Sequence, residues 1–128
     1  MKLLLDTHTL IWWLTEDVRL SRSAKDAVKA TANTVWVSAV SAYEVALKHG
    51  MGKLPEARRL AENFETEVLN EGFLSLPVMV REAQIAGRMD NPHRDPFDRM
   101  LIAQAMLNDL TLVSNERLFD SFGVSRLW

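Results

Sequence analysis

The sequence predicts an α/β fold: one domain across residues 1–128, with a central, mainly parallel sheet covered by helices on both faces. Three observations predict it. Short apolar runs, such as Leu3-Leu4-Leu5, Thr34-Val35-Trp36-Val37 and Leu110 to Val113, alternate with segments of helical periodicity. The stretches between these runs are long enough for helical crossovers, which parallel strands require. No repeat, low-complexity tract or linker interrupts the 128 residues, a length that one hydrophobic core can serve.

Each element has a local reason. Lys2 to Leu5 is an apolar run that ends at an acid, as a buried first strand does, and Thr7 to Leu14 follows as a helix. Ser21 caps a second helix reaching Ala32. Thr34 to Val37 is β-branched and aromatic, hence a second strand. Ser38 to Lys48 carries Val40, Tyr43, Ala46 and Leu47 at helical spacing, with Gly50 as its stop. Pro55 opens the next helix, which runs to about Asn70. Phe73 to Leu76 is a third strand closed by Pro77, and Val78 to Met89 a further helix. Asn91-Pro92 marks a loop, and Pro96 opens a long helix to about Asn108. Leu110 to Val113 is a fourth strand, Asn115 to Ser121 a short helix, and Val124 to Leu127 an edge strand.

Composition narrows the functions. Hydrophobic residues at 48% and charged residues at 25% are those of an ordinary globular protein. The absence of cysteine excludes disulfide scaffolds, thiolate zinc sites, iron–sulfur clusters and cysteine nucleophiles. A formal net charge of −2 excludes a protein that coats polyanions, so any nucleic-acid contact must be local. Met1 to Leu5 imitates the start of an export signal, but Asp6 and His8 break the apolar run. Leu10 to Leu14 falls far short of the ~20 apolar residues of a bilayer span. The expectation is a soluble cytoplasmic protein with no membrane partner.

In parallel sheets, ligand chemistry gathers beyond the carboxyl ends of the strands. Here those positions are mostly acids. Asp6 closes the first strand, Glu44 lies in the helix after the second, Asp95 and Asp98 open the long helix, and Glu116 follows the fourth strand. Each also has a plainer reading. Asp95-Pro96-Phe97-Asp98 is a good helix start, Glu116 complements a helix dipole, and Glu44 with Lys48 makes an i, i+4 pair. Asp6 could cap the following helix, although a carboxylate against three leucines needs a partner. Convergence would change this balance. Two carboxylates ~5 Å apart repel by about 3 kcal/mol at an effective dielectric of 20. Several would demand a cation or shifted pKa values. All-oxygen ligands favour Mg²⁺ or Mn²⁺ and phosphoester chemistry. The histidines His8, His49 and His93 lack zinc-site spacing, and neither a phosphate-binding glycine loop nor a serine-hydrolase elbow occurs.

Leu3-Leu4-Leu5-Asp6-Thr7-His8 resembles the opening of PIN-domain nucleases, especially the VapC-type toxins of bacterial toxin–antitoxin pairs. Ser38 to Lys48 resembles the family's second motif, with Glu44 as its acid, and Gly52-Lys53-Leu54 is similar as well. Asp95-Pro96-Phe97-Asp98-Arg99-Met100-Leu101-Ile102-Ala103-Gln104-Ala105 is the most specific likeness, and Leu112-Val113-Ser114-Asn115-Glu116 resembles the fourth motif. The likeness extends to Trp128. One departure stands out: Glu116 occupies a position where the family usually has aspartate.

The resemblance implies a three-layer α/β/α PIN-like domain with metal-dependent endoribonuclease activity. It implies that Asp6, Glu44 and Asp98 hold Mg²⁺ (or Mn²⁺), with Asp95 as an accessory ligand and Glu116 as a fourth catalytic acid. Thr7, Ser114 and Asn115 would orient the carboxylates, and Lys48, Arg94 and Arg99 would meet RNA phosphates. It further implies a VapB-like antitoxin partner and a homodimer. Trp12-Trp13 projects in two directions on its helix, so one ring is expected in the core and one half-buried. Two other classes compete. A phosphatase of the haloacid dehalogenase type also begins with a strand-terminal aspartate but wants Asp-x-Asp, where this chain has Asp6-Thr7-His8. A non-catalytic PIN-like interaction domain finds its support in Glu116.

Overall fold

The computed structural model describes residues 1–90 and 95–128. Five strands form one sheet in the order β3-β2-β1-β4-β5: β1 Lys2–Leu5, β2 Thr34–Ser38, β3 Leu74–Leu76, β4 Thr111–Val113 and β5 Arg126–Leu127. Every pairing is parallel, with Leu4 opposite Trp36 on one side and Leu112 on the other. Six α-helices accompany them: α1 Thr7–Leu14, α2 Arg22–Lys29, α3 Ala39–Gly50, α4 Arg58–Asn70, α5 Val80–Arg88 and α6 Pro96–Asn108.

The leucines of β1 divide the core by strand alternation. Leu3 and Leu5 face Leu10, Ile11, Trp12, Val28, Val45, Leu60 and Val68, the layer built by α1 to α4. Leu4 faces Leu101, Ile102, Ala105 and Phe119, the layer on the opposite side. Three layers result, as the resemblance implied. Trp12 is buried and Trp13 half-buried, the latter packed against Phe73.

Several boundaries differ from the sequence reading. α2 stops at Lys29 instead of Ala32, because the Asn33 side-chain amide donates to the Ala27 carbonyl and turns the chain. Gly50 belongs to α3. The left-handed residue is Gly52 (φ +79°), whose N–H donates to the His49 carbonyl. Pro55 opens a three-residue 3-10 turn before α4, which is itself kinked at Asn63. α5 starts at Val80 rather than Val78. The segment after β4 is a 3-10 helix over Arg117–Phe122, not an α-helix, and β5 is two residues long. Asn91-Pro92, His93 and Arg94 lie outside the described residues. Among the described residues, no helix is long and apolar enough to cross a membrane.

The order 3-2-1-4-5 reverses direction at β1. Chain running outward through β2 and β3 crosses back to pair β4 on the other side of β1. The carboxyl ends of β1 and β4 therefore flank the switch point, where a parallel sheet opens a crevice.

Candidate functional site

The residue after β1 is Asp6, and its backbone and side chain are both fixed. Its N–H donates to the Val113 carbonyl at the end of β4 (3.2 Å). Its carboxylate caps α1, accepting from the Thr9 N–H at 2.8 Å, while the Thr9 hydroxyl donates to that same Val113 carbonyl. Capping and site placement are thus the same contact. Burial pushes the Asp6 carboxyl above the ordinary carboxylate range; hydrogen bonds from the Ser114 hydroxyl and from Thr9, and the charge of His8, pull it back only in part.

Glu44 arrives from α3, beside β1 through the β1–β2 pairing. It is 5% exposed. The Thr7 hydroxyl donates to its Oε1 at 2.6 Å and is itself bonded to the Ser41 hydroxyl at 2.9 Å. Lys48, one turn later on α3, places its ammonium 2.5 Å from Oε2. Ser41 was missed in the sequence, though it precedes Glu44 by three residues on one helix face, the spacing that brings side chains together.

α6 supplies two more acids, Asp95 and Asp98, at its start. Asp95 is its N-cap, one oxygen accepting from the N–H groups of Phe97 and Asp98 at 2.9 and 3.1 Å. Pro96 takes the first helical position, where its missing N–H costs nothing. Past β4, the Ser114 hydroxyl accepts from the Glu116 N–H, and the Glu116 carboxylate caps the 3-10 helix through Leu118.

These residues line one cavity of about 170 Å³, with Asp6, Thr7, His8, Glu44, Lys48, Asp95, Asp98, Asn115 and Glu116 in its wall. Five carboxylates from four parts of the chain therefore share one space at the switch point. The amino ends of α1 and α6 point toward it and lower the cost of negative charge there. Ser114 is buried below, bonded to Asp6. Arg99 is absent from this wall; its guanidinium contacts the Ala86 carbonyl on α5 at 3.4 Å. Arg94 lies outside the described residues. Among the described residues, no three carboxylates or imidazoles stand close enough to hold an ion together as they are. In donor chemistry the set still suits a hard divalent cation, being all oxygen, anionic and gathered at one mouth.

A doubly wound sheet with acids collected at its switch point defines a class, and the comparisons narrow it. The family model of the PIN domain matches residues 3–124. The chain belongs to the PIN-domain family. Ribonuclease VapC22 of Mycobacterium tuberculosis (strain ATCC 25618 / H37Rv) is 29% identical over 121 residues, covering 89% of this chain and 86% of its own. In fold, the chain is similar to one in the crystal structure of VapBC2 from Rickettsia felis bound to a promoter DNA fragment. There the TM-score is 0.72 at 12% identity, over 99% of this chain and 98% of that one. DNA-bound VapBC from Salmonella typhimurium gives a TM-score of 0.71 at 21% identity, over 99% and 97% of the two chains.

Proposed function

We propose that this protein is a metal-dependent endoribonuclease and the toxin of a toxin–antitoxin pair. The observation that carries the reading is the shared cavity, in which Asp6, Glu44, Asp95, Asp98 and Glu116 meet at the carboxyl edge of the sheet. The likeness to the mycobacterial ribonuclease VapC22 supports ribonuclease chemistry, and the likeness in fold to chains of VapBC structures supports an antitoxin partner.

Asp6, Glu44 and Asp98, with Asp95 alongside, would hold Mg²⁺ or Mn²⁺. Such an ion lowers the pKa of a bound water and offsets charge on a phosphodiester. The chain's own groups prepare that chemistry. Thr7 orients Glu44 and is steadied by Ser41. Ser114 and Thr9 fix the Asp6 carboxylate, and the Val113 carbonyl anchors the backbone beneath it. Asn115 and Glu116 close the β4 side of the cavity. Water oxygen bonds to phosphorus as the bond to the 3′ oxygen breaks, which leaves a 5′-phosphate and a 3′-hydroxyl.

The homodimer belongs to the same proposal. Exposed Tyr43 and Leu47 of α3, with half-buried Phe97 and Met100 of α6 and Val78, form an apolar face on the very helices that carry Glu44 and Asp98. Light scattering of the free protein should report a dimer. The function itself is tested by sequencing RNA ends after induced expression of the wild type and of Asp6→Asn. Discrete new 5′-phosphate ends in the first and none in the second are expected. Equal cleavage by both proteins would overturn the assignment.

A further inference from the structure

Three i, i+4 pairs on the helices show what Lys48 is not. Arg22 with Asp26 and Arg58 with Glu62 stand 4.0 and 3.1 Å apart, with side chains 69–95% and 55–75% exposed. Such solvated pairs contribute little. The side chains of Lys48 and Glu44, counted without their backbone atoms, are 29% and 7% exposed, and their contact is the shortest of the three. Among the described residues lining the acidic cavity, Lys48 is the only lysine or arginine.

The two oxygens of Glu44 have different partners. Thr7 holds Oε1 from within the protein, which leaves Oε2 as the oxygen available to a ligand in the cavity. Lys48 occupies it. The same ammonium lies 5.6 Å from the centre of the Phe97 ring, a second favourable resting place on the side of α6. A cation thus already rests on the oxygen that an ion would need.

We propose that Lys48 is an internal counter-ion of this site, which a divalent cation must displace from Glu44 in order to bind. The proposal rests on the metal-binding reading above. It makes ion loading an exchange rather than a simple addition, and it gives Lys48 two states. Paired with Glu44, it neutralises an otherwise repulsive cluster. Released, it remains at the cavity wall as a cation for a phosphate.

The test observes the ammonium directly. Lysine-selective ¹⁵N spectra of the full-length protein, with the Lys48 signal assigned by its loss in Lys48→Met, are recorded with and without saturating Mg²⁺. The expected result is a slowly exchanging Lys48 signal in the ion-free protein that moves to the position of mobile lysines on addition of Mg²⁺. Glu44→Gln should show that mobile signal without any ion. Paramagnetic titration of Mn²⁺ should find roughly three- to tenfold tighter binding to Lys48→Met than to the wild type. A Lys48 signal that stays in place while the site fills, or weaker Mn²⁺ binding by Lys48→Met, would overturn the exchange and leave the metal site standing. Failure of both proteins to bind Mn²⁺ would overturn the exchange and the metal reading together.

Discussion

Glu44 on α3 and Glu82 on α5 are the two buried glutamates among the described residues, 5% and 3% exposed. Glu82, in the first turn of α5, is enclosed by neutral donors. The Met79 N–H and the Gln104 side-chain amide meet its Oε1 at 2.8 and 3.2 Å, and the Asn108 amide meets its Oε2 at 2.8 Å. Gln104 extends the network, accepting from the Ser38 hydroxyl and donating to the Pro77 carbonyl. Every partner there is part of the scaffold. Glu44 shares one oxygen with the scaffold through Thr7 and leaves the other to a flexible ammonium beside a cavity. Burial alone therefore says little about function. What distinguishes the two is whether the second oxygen is satisfied by something that can leave.

The largest effect should come from the open side. Asp98→Asn, or Glu44→Gln, is expected to lower cleavage of a labelled RNA more than ~10²-fold, since each removes a charge that the proposed ion would need. Folding should be nearly intact in both. Next in size is the closed side, where the expected pattern reverses. Glu82→Ala strands the donors of Met79, Gln104 and Asn108 and should lower unfolding stability by about 2–4 kcal/mol in urea. Cleavage per folded molecule should change little. A Glu82→Ala protein that stayed stable but lost cleavage would erase the distinction between the two glutamates.

Thr7→Val sharpens the comparison further. It keeps the shape of the side chain but removes the donor that fixes Glu44. A loss of about 10–100-fold in cleavage is expected, of the size seen when a ligand-orienting group is removed. Mg²⁺ affinity should weaken in step, and the same change in Thr9→Val, which touches the Val113 carbonyl instead of Glu44, should be smaller.

This division also explains what could be read from the sequence. Asp6, Asp95 and Glu116 were legible because each sits at the start of a helical segment, where local spacing and a capping role mark it. The strands were legible because buried parallel strands are continuous apolar runs. The Ser38–Gln104–Glu82–Asn108 network was not. The bonds from Ser38 to Gln104 and from Gln104 and Asn108 to Glu82 span 66, 22 and 26 residues, and no local pattern joins a serine at the end of a strand to a glutamine deep in a distant helix. The end of α3 misled for a different reason. Two glycines, Gly50 and Gly52, both suit a helix stop, and only the backbone conformation selects the second. Lys48 looked like an ordinary i, i+4 partner because spacing does not reveal that the pair is buried.

The smallest effect concerns the stability of the site itself. Asp6 titrates above its ordinary 3.8 because burial disfavours its charge. A carboxyl with a raised pKa binds its proton more tightly folded than unfolded. Its contribution to stability is therefore complete below 3.8 and is lost as pH rises through the folded value. Asp6→Asn keeps the helix cap, since asparagine also accepts from the Thr9 N–H, but carries no charge to desolvate. In chelator, the variant should gain on the wild type between pH 4 and pH 7.5, so that its urea midpoint lies above the wild type's at neutral pH. Saturating Mg²⁺ should stabilise the wild type and reverse the order. If the two proteins kept a constant difference across that range, burial would not be setting the charge of Asp6.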